Sequence, residues 1–263
     1  MPRFNANLRW MFKEYEPTAR FALAARCGFR GVEHADPYEW KAADVRRWLT
    51  DNGLTMVQIL TPQDWAGGET GLATLPDRVA DFRAAVVRGV DYAAEIDCTL
   101  LHTAVGPLPK GEDPERCWAR VVENIAHACD AGKKAGLTII IEPVCSARFA
   151  DFFIHRLDEG LALIRDVGRA NLKLCYDTYH VQMEEGAITA NLERVWPHVG
   201  HLQMGNPPGR HQPGVGELDL QHYFDAVDRL GWGGWIGCEY TPHGHTLDSL
   251  AWGARYGIAR PKD

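Results

Sequence analysis

Short apolar segments alternate with longer amphipathic segments along the chain. The short segments are rich in aliphatic residues and are bounded by turn residues, which is typical of buried strands. They cover residues 4–8, 31–34, 54–60, 99–103, 139–141, 172–176, 199–202 and 235–238. The longer segments carry apolar residues three and four positions apart, which indicates helices. Helices are predicted at 18–26, 43–51, 79–95, from 114 onward, 156–167, 192–196, 220–230 and 247–256.

Strict alternation of eight strands and eight helices predicts a parallel sheet built from right-handed βαβ units. The chain has 263 residues, and about 250 is typical of a closed (β/α)8 barrel. An open doubly wound sheet is the alternative, but it usually carries a glycine-rich phosphate-binding turn after the first strand. Here Leu8 runs directly into Arg9-Trp10-Met11-Phe12. We therefore predict an α/β fold with a single TIM-barrel domain over residues 1–263.

Polar residues stand at the ends of the last four predicted strands. These residues are Glu142, Asp177, Gln203 and Glu239. Catalytic groups of a TIM barrel gather at the carboxyl ends of its strands, so the four side chains are expected to converge. Carboxylates, an amide oxygen and water are the ligands that a hard divalent cation prefers. The pattern predicts one Mg²⁺ or Mn²⁺ ion held by these four residues.

Four further polar residues are predicted to face the same mouth and to contact a substrate. Gln58 and His102 lie inside the third and fourth strands, and His180 follows Asp177 by three positions. Arg210 lies in a Gly/Pro-rich loop after the seventh strand, where its guanidinium can hold a substrate oxygen or carboxylate. The structural alternatives are an Asp that only caps a helix beside a solvated His, and an Arg that lies on the surface.

Three other residues near the mouth are interpreted as structural. Glu33 ends the second strand and is expected to anchor a loop amide or to pair with an Arg. His201 shares a strand face with Gln203, and we interpret it as a satisfied core histidine, with a barrel-lining role as the alternative. Cys145 has no identifiable base beside it and is interpreted as a small packing residue.

Composition narrows the function classes. A formal charge of −7 and a pI near 5.9 disfavour a nucleic-acid partner, which requires a basic face. No apolar run is long enough to span a bilayer, and the N-terminal residues lack the apolar core of a signal peptide. Seven cysteines without metal-type spacing indicate reduced thiols, so a cytoplasmic location is expected. Whether the protein forms a homo-oligomer is left open by the sequence.

Motifs spread over most of the chain carry a family resemblance. They are Asn5-Ala6-Asn7-Leu8, Asp64-Trp65-Ala66-Gly67-Gly68-Glu69, Ile141-Glu142-Pro143, Asp177-Thr178-Tyr179-His180, Gly200-His201-Leu202-Gln203, Pro208-Gly209-Arg210-His211-Gln212-Pro213-Gly214 and Gly237-Cys238-Glu239-Tyr240. Together they resemble the hydroxypyruvate isomerase family of the xylose isomerase-like barrels, a superfamily that includes ketose 3-epimerases. The resemblance implies that Glu142, Asp177, Gln203 and Glu239 bind the metal. It also implies that Glu142 and Glu239 are the catalytic acid/base pair.

The sequence departs from the pattern of that family at three places. These are His34-Ala35-Asp36, where an aromatic-aliphatic run is usual, Val144-Cys145, where Ile-Asn is usual, and Thr241, where Lys is usual. Losing a cation and gaining an acid near the mouth is expected to weaken binding of an anionic substrate. Hydroxypyruvate is therefore predicted to be a modest substrate that Thr241→Lys improves, and a longer or less anionic hydroxy-ketone is predicted to do better.

The predicted reaction interconverts a short hydroxy-ketone and a hydroxy-aldehyde through an enediolate, with a small molecule as the substrate. A divalent cation stabilises the charge on two adjacent oxygens, and the two glutamates move the proton. A ketose 3-epimerase would use the same groups. A metal-dependent phosphoesterase is disfavoured by the acidic balance, and a barrel that only binds sugar is disfavoured by the acid/base pair.

Overall fold

The computed structural model describes residues 1–261 and contains a closed barrel of eight parallel strands. The strands are β1 Arg3–Asn7, β2 Gly31–His34, β3 Thr55–Leu60, β4 Leu100–His102, β5 Thr138–Ile141, β6 Leu172–Asp177, β7 Val199–Met204 and β8 Trp235–Cys238. Each strand pairs with the next along the chain, and β8 pairs with β1. The predicted TIM-barrel fold is confirmed.

Helices cover the outside of the barrel. They are α1 Ala19–Arg26, α2 Ala42–Asp51, α3 Val79–Glu95, α4 Pro114–Lys134, α5 Leu157–Val167, α6 Thr178–Glu184, α7 Ile188–Val195 and α8 Leu220–Arg229. Three 3-10 helices add Pro76–Arg78, Trp196–His198 and Asp248–Tyr256. No helix in the described part of the chain is long and apolar enough to cross a membrane.

The predicted strict alternation of one strand and one helix is wrong after β6, and the last predicted helix is of a different type. Two helices, α6 and α7, follow β6, because Asp177 accepts a hydrogen bond from the Tyr179 amide and starts α6 directly at the strand end. The last predicted helix is a 3-10 helix, and Gly253 within it lies so close to Ile258 that a Cβ would come within 2.8 Å of that side chain.

Alternation along β1 shows how the barrel separates apolar from polar side chains. Phe4 points outward and packs against the rings of Phe224, Trp252 and Tyr256, with centroids 4.8–5.0 Å away. Burial of such a ring stabilises the fold by about 1.5–3 kcal/mol. The neighbouring Asn5 is also buried, but on the barrel side of the strand, where it meets Glu33. The barrel interior below the mouth is therefore polar, and the apolar core lies between strands and helices.

Candidate active site

The carboxyl ends of β5 to β8 bring the four predicted metal ligands to one place. Glu142 directly follows β5, Asp177 ends β6, Gln203 lies one residue before the end of β7, and Glu239 directly follows β8. Gln203 pairs in register with Asp177 on one side and with Gly237 on the other. All four are largely withdrawn from solvent, and the Glu239 side chain is the most exposed at 16%.

Arg210 joins these carboxylates. Its Nη2 donates to Asp177 Oδ2 and to Glu239 Oε1, the latter at 2.7 Å, and its Nε donates to the Glu239 carbonyl oxygen at 3.1 Å. The guanidinium lies between the rings of Trp10 and Tyr179, at 4.6 and 4.9 Å from their centroids. The alternative of a surface Arg is therefore wrong. Arg210 lines the cavity and is also the counter-charge of the buried carboxylates.

Glu142 has the fewest hydrogen-bond partners of the three acids Glu142, Asp177 and Glu239. Its Oε1 is buried and has no hydrogen-bond partner among the described residues, and its Oε2 lies 3.9 Å from His102 Nε2. Burial, together with the charges of Glu239 and Asp177, raises the pKa of Glu142 well above its ordinary value. An unpartnered carboxylate oxygen facing other acids is a position that a cation would satisfy.

The other two acids are also shifted toward the protonated form. Burial raises the pKa of Asp177 even though Arg210 opposes the shift. Burial likewise raises the pKa of Glu239 to about 8, with Arg210 lowering it and Asp177 and Glu33 raising it. One arginine therefore does not compensate three buried carboxylates, and this donor set suits a further positive charge.

The described residues include one triad whose ligand atoms lie within 4.8 Å of one another, namely Glu142, Asp177 and His180. The carboxylates fit a hard divalent cation. His180 fits less well, because its Nδ1 accepts from the Cys145 amide at 3.2 Å and the neutral ring then carries its hydrogen on Nε2, the atom that faces Asp177. His180 is thereby a hydrogen-bond donor toward the site.

Gln203 also departs from the role predicted for it. Its amide nitrogen, and not its oxygen, faces the acids, donating to Glu33 Oε1 at 2.8 Å and contacting Glu239 Oε2. Its oxygen accepts from the Cys175 thiol at 3.0 Å. To serve as a metal ligand, the amide must turn about its last torsion.

Gln58 and His102 meet inside the barrel as expected. Gln58 Nε2 lies 3.3 Å from His102 Nδ1, and both residues line the cavity. Burial and the neighbouring His201 lower the pKa of His102 to about 4, so its ring is neutral at neutral pH. Burial and the charge of Arg210 lower the pKa of His180 as well. Two neutral imidazole N–H groups therefore point toward the acids.

The cavity above these groups measures about 380 Å³. It is lined by residues of the predicted site and by cations and aromatic side chains that the sequence patterns did not single out. The latter are Arg9, Lys13, Arg148, Phe149 and Phe152, and two residues of the family motifs, Asn7 and Trp65, line the cavity as well. Within the described part of the chain, Arg9, Lys13 and Arg148 have no carboxylate within 4.0 Å. All three are exposed loop residues, which carry no periodic signal.

Two of the departing residues, Ala35 and Val144, line the cavity, whereas the two on which weaker anion binding was predicted do not. Asp36 and Thr241 are not among the lining residues, and the Thr241 side chain is exposed while its amide donates to the Arg210 carbonyl at 2.7 Å. Cys145 is buried behind the lining residue Val144, and its sulfur lies 3.2 Å from His180 Nδ1, so the interpretation that no base lies beside it is wrong. The expected repulsion of an anion by Asp36 therefore has no direct geometric basis.

Glu33 has different partners from those predicted. It meets neither a loop amide nor an Arg, but four side-chain donors inside the barrel, including His201. Burial alone would raise the pKa of Glu33, but hydrogen bonds from His201, Asn5 and Gln203 lower it. His201 lines the barrel, and its Nδ1 has no partner among the described residues, so it is not a fully satisfied core histidine.

Comparison with known proteins decides the family. The family model of xylose isomerase-like TIM barrels matches residues 21–256. The chain belongs to this family. A 2-oxo-tetronate isomerase of Cupriavidus necator is 44% identical over 253 residues, with 96% of this chain and 97% of the relative covered. A hydroxypyruvate isomerase of Escherichia coli is 37% identical over 253 residues, with 96% and 98% covered.

Solved structures of other proteins agree in fold. A Brucella melitensis protein described as an AP endonuclease of family 2 is similar with a TM-score of 0.94 and 38% identity, covering 97% of this chain and 99% of that one. A D-psicose 3-epimerase of Clostridium cellulolyticum is similar with a TM-score of 0.76, covering 89% and 83%, but at 20% identity this likeness shows the fold alone. The resemblance to hydroxypyruvate isomerases is confirmed, and the protein is an enzyme of the isomerase class.

Proposed function

We propose that this protein is a divalent-metal-dependent isomerase of a short hydroxy-keto acid, with Glu142 and Glu239 moving the proton. The observation that carries the proposal is that both glutamates line one cavity at the barrel mouth, with Asp177 within 4.8 Å of Glu142. Nearly full-length relatives named for 2-oxo-tetronate and hydroxypyruvate support the substrate class.

Glu142, Asp177 and Glu239 would hold one Mg²⁺ or Mn²⁺ ion, while Gln203 would keep its amide nitrogen on Glu33 and stand beside the ion as a hydrogen-bond donor. When bound, such an ion supplies positive charge to two adjacent substrate oxygens. The buried, unpartnered Oε1 of Glu142 is the observation that favours a cation here. His180 is assigned to the substrate because its Nε2 carries the hydrogen.

The two glutamates carry the proton. In a 2-oxo-3-hydroxy acid, one carboxylate takes the proton from carbon 3, the C3–H electrons form a C2–C3 double bond, and the π electrons of the C2 carbonyl move onto oxygen 2. The other carboxyl group then delivers a proton to carbon 2, while the hydroxyl proton moves from oxygen 3 to oxygen 2. The carbonyl thereby moves from carbon 2 to carbon 3. General acid/base catalysis of this kind contributes about 10²–10⁴-fold.

Neutral imidazoles are suited to hold the substrate oxygens during this transfer. His102 and His180 present N–H groups toward Glu142 and Asp177, at 3.9 Å from carboxylate oxygens in each case. A substrate oxygen between ring and carboxylate would accept from the imidazole. Such donors stabilise negative charge that develops on oxygen without themselves competing for the moving proton.

An acidic substrate is supported by the charge around the cavity. Arg9, Lys13 and Arg148 line its mouth without carboxylate partners in the described chain, although the chain as a whole carries a net charge of −7. A carboxylate at the mouth would leave the reacting carbons near the glutamates. The space of about 380 Å³ also accommodates more than a three-carbon acid, so we favour a four-carbon 2-oxo acid over hydroxypyruvate.

Turnover and exchange measurements test the proposal. The metal-loaded enzyme should convert a four-carbon 2-oxo-hydroxy acid with a higher kcat/KM than hydroxypyruvate and should incorporate solvent deuterium at the carbon that receives the proton. Glu142→Gln and Glu239→Gln should each lose about 10²–10⁴-fold in kcat. Exposed Glu193→Gln on α7 is the matched control and should keep full activity.

Other results of the activity measurements would indicate other functions. Turnover of neutral ketohexoses with inversion at carbon 3 and no activity on either acid would identify an epimerase. Cleavage of DNA at abasic sites by the same metal-loaded preparation would identify the phosphoesterase class. Near-normal turnover by either glutamine variant would contradict the two-carboxylate mechanism.

A further inference from the structure

We propose that Glu33, which lies beneath the cavity and does not line it, is a positioning residue that fixes the direction of the hydrogen bonds across the active site. This inference rests on the proposed function for its effect on catalysis. Glu33 is completely buried at the end of β2, at the centre of the barrel. Nothing in the proton transfer itself uses it.

The carboxylate of Glu33 accepts four hydrogen bonds from side chains. Oε1 accepts from Asn7 Nδ2 and Gln203 Nε2, and Oε2 accepts from Asn5 Nδ2 and His201 Nε2, all at 2.8 Å. An ionised carboxylate only accepts hydrogen bonds. Each partner must therefore turn an N–H toward Glu33, and the orientation of each amide follows from that requirement.

One branch of this network runs to His102. The two hydrogens of Gln203 Nε2 are shared among Glu33 Oε1, Glu239 Oε2 and, at 3.4 Å, Gln58 Oε1, so the Gln58 oxygen faces this nitrogen and the Gln58 nitrogen is left to donate toward His102 Nδ1 at 3.3 Å. With Nδ1 accepting, the neutral ring carries its hydrogen on Nε2, which points at Glu142 from 3.9 Å. The acceptor oxygen of Glu33, at one end of this series of hydrogen bonds, therefore decides that His102 presents an N–H to Glu142 at the other end.

The second branch runs to Glu239. Asn7 Nδ2, held by Glu33, also donates to Glu239 Oε2 at 3.2 Å, and Gln203 Nε2 contacts the same oxygen. Asn7 cannot simply turn over, because its oxygen accepts from the Arg9 amide at 3.1 Å. The two amides that Glu33 Oε1 orients are therefore the two that hold Glu239 Oε2.

The barrel makes room for this carboxylate. A Cβ on Gly237 would lie 2.6 Å from both Glu33 oxygens, so only glycine fits at this position of β8. The competing interpretation is that Glu33 only neutralises His201 and stabilises the fold. That role would make no demand on the tautomer of His102.

The test replaces one acceptor oxygen with a donor of the same shape. Glu33→Gln should lower kcat about 10–100-fold, the usual effect of losing a residue that orients catalytic or metal-binding groups, with a smaller change in KM. Long-range ¹⁵N NMR of histidine-labelled protein should show His102 protonated on Nε2 in the wild type, with that signal assigned by its loss in His102→Asn. Glu33→Gln should mix or reverse the tautomer.

Further variants separate positioning from folding. Glu33→Asp keeps the acceptor and should retain the tautomer. Gln58→Met cuts the branch to His102 without removing the buried charge, so it should change the His102 signal even if Glu33→Gln does not fold. Val86→Ala on α3, buried but remote from the network, should lower the unfolding temperature and leave the signal unchanged.

The inference is overturned if Glu33→Gln keeps wild-type kcat and the wild-type His102 spectrum. It is equally overturned if Gln58→Met leaves the spectrum unchanged, or if Val86→Ala alters it as much as Glu33→Gln does. The spectrum requires no substrate. Failure of the wild type to turn over either keto acid would therefore count against the proposed function and not against this network.

Discussion

Replacing Arg210 tests how the acidic centre is held together. In Arg210→Met the side chain keeps its apolar contact with Trp10 and Tyr179 but loses its charge and its donors to Asp177 and Glu239. The Arg210 side chain is only 7% exposed, and its carboxylate partners Asp177 and Glu239 are 0% and 16% exposed. Removing one partner of a buried ion pair costs about 3–5 kcal/mol.

Such a loss of free energy of unfolding lowers the unfolding temperature by a measurable amount. A protein of this size loses about 2–4 °C of unfolding temperature per kcal/mol, so the metal-free variant should unfold about 6–20 °C below the wild type at pH 8. The loss should shrink toward pH 6, because acids with raised pKa values take up protons and then need no counter-charge. Added Mn²⁺ should stabilise the variant more than the wild type, because in the variant no guanidinium competes for Asp177 and Glu239.

Differential scanning fluorimetry in a chelator and at increasing Mn²⁺ measures both effects. Arg194→Met is the matched control, since Arg194 is 40% exposed and its pair with Asp158 lies on the surface, where such pairs contribute about 1 kcal/mol or less. Equal unfolding temperatures of Arg210→Met and wild type in chelator would refute the counter-charge role. Equal stabilisation by Mn²⁺ would refute the competition.

Two further predictions concern residues outside the acidic centre. Burial, with the charges of Arg9 and Arg20, lowers the pKa of His34 to about 3. The stability that His34 contributes is therefore fully present above its unfolded pKa near 6.5 and is lost as pH falls from there toward 3. The variant His34→Asn keeps an acceptor for the Asp36 amide. Between pH 4 and 6, its free energy of unfolding in urea should rise with pH less steeply than that of the wild type, by up to about 1.4 kcal/mol per pH unit. Equal slopes for the two proteins would contradict this. Thr241→Lys should change kcat/KM for hydroxypyruvate by no more than about fivefold, because an exposed charge outside the cavity contributes about 1 kcal/mol or less. A larger gain would support the substrate specificity that was predicted from the sequence.

The barrel and the positions of its acids were predictable because both follow from local patterns. Apolar runs fix the strands, and a polar residue at the end of a parallel strand can only lie at the mouth. Glu142, Asp177, Gln203 and Glu239 therefore converge as expected. Their roles as ligands stay a prediction, since the orientation of the Gln203 amide depends on partners that no local pattern reveals.

The partners of Arg210 and Glu33 were not predictable for the same reason. Arg210 lies 33 residues from Asp177 along the chain, and Glu33 lies 168 residues from His201. Such contacts arise only when the barrel closes. The helix α6 was considered only as the alternative in which Asp177 caps a helix, because Asp177 ends a strand and caps a helix at once and leaves no turn residues between the two elements. The cap of that alternative is present, but its solvated His is not, since His180 is buried.

The chemistry and the specificity of this site come from different parts of the chain. The acids proposed to transfer the proton stand at the ends of strands, whose positions the barrel fixes, and Glu33 is proposed to orient their neighbours from below. The cations proposed to face a substrate, Arg9, Lys13 and Arg148, stand on loops. Loops accept substitutions that a barrel interior does not. Changes of substrate within this family are therefore expected in those loops, whereas the network around Glu33 should constrain the reaction that any such substrate undergoes.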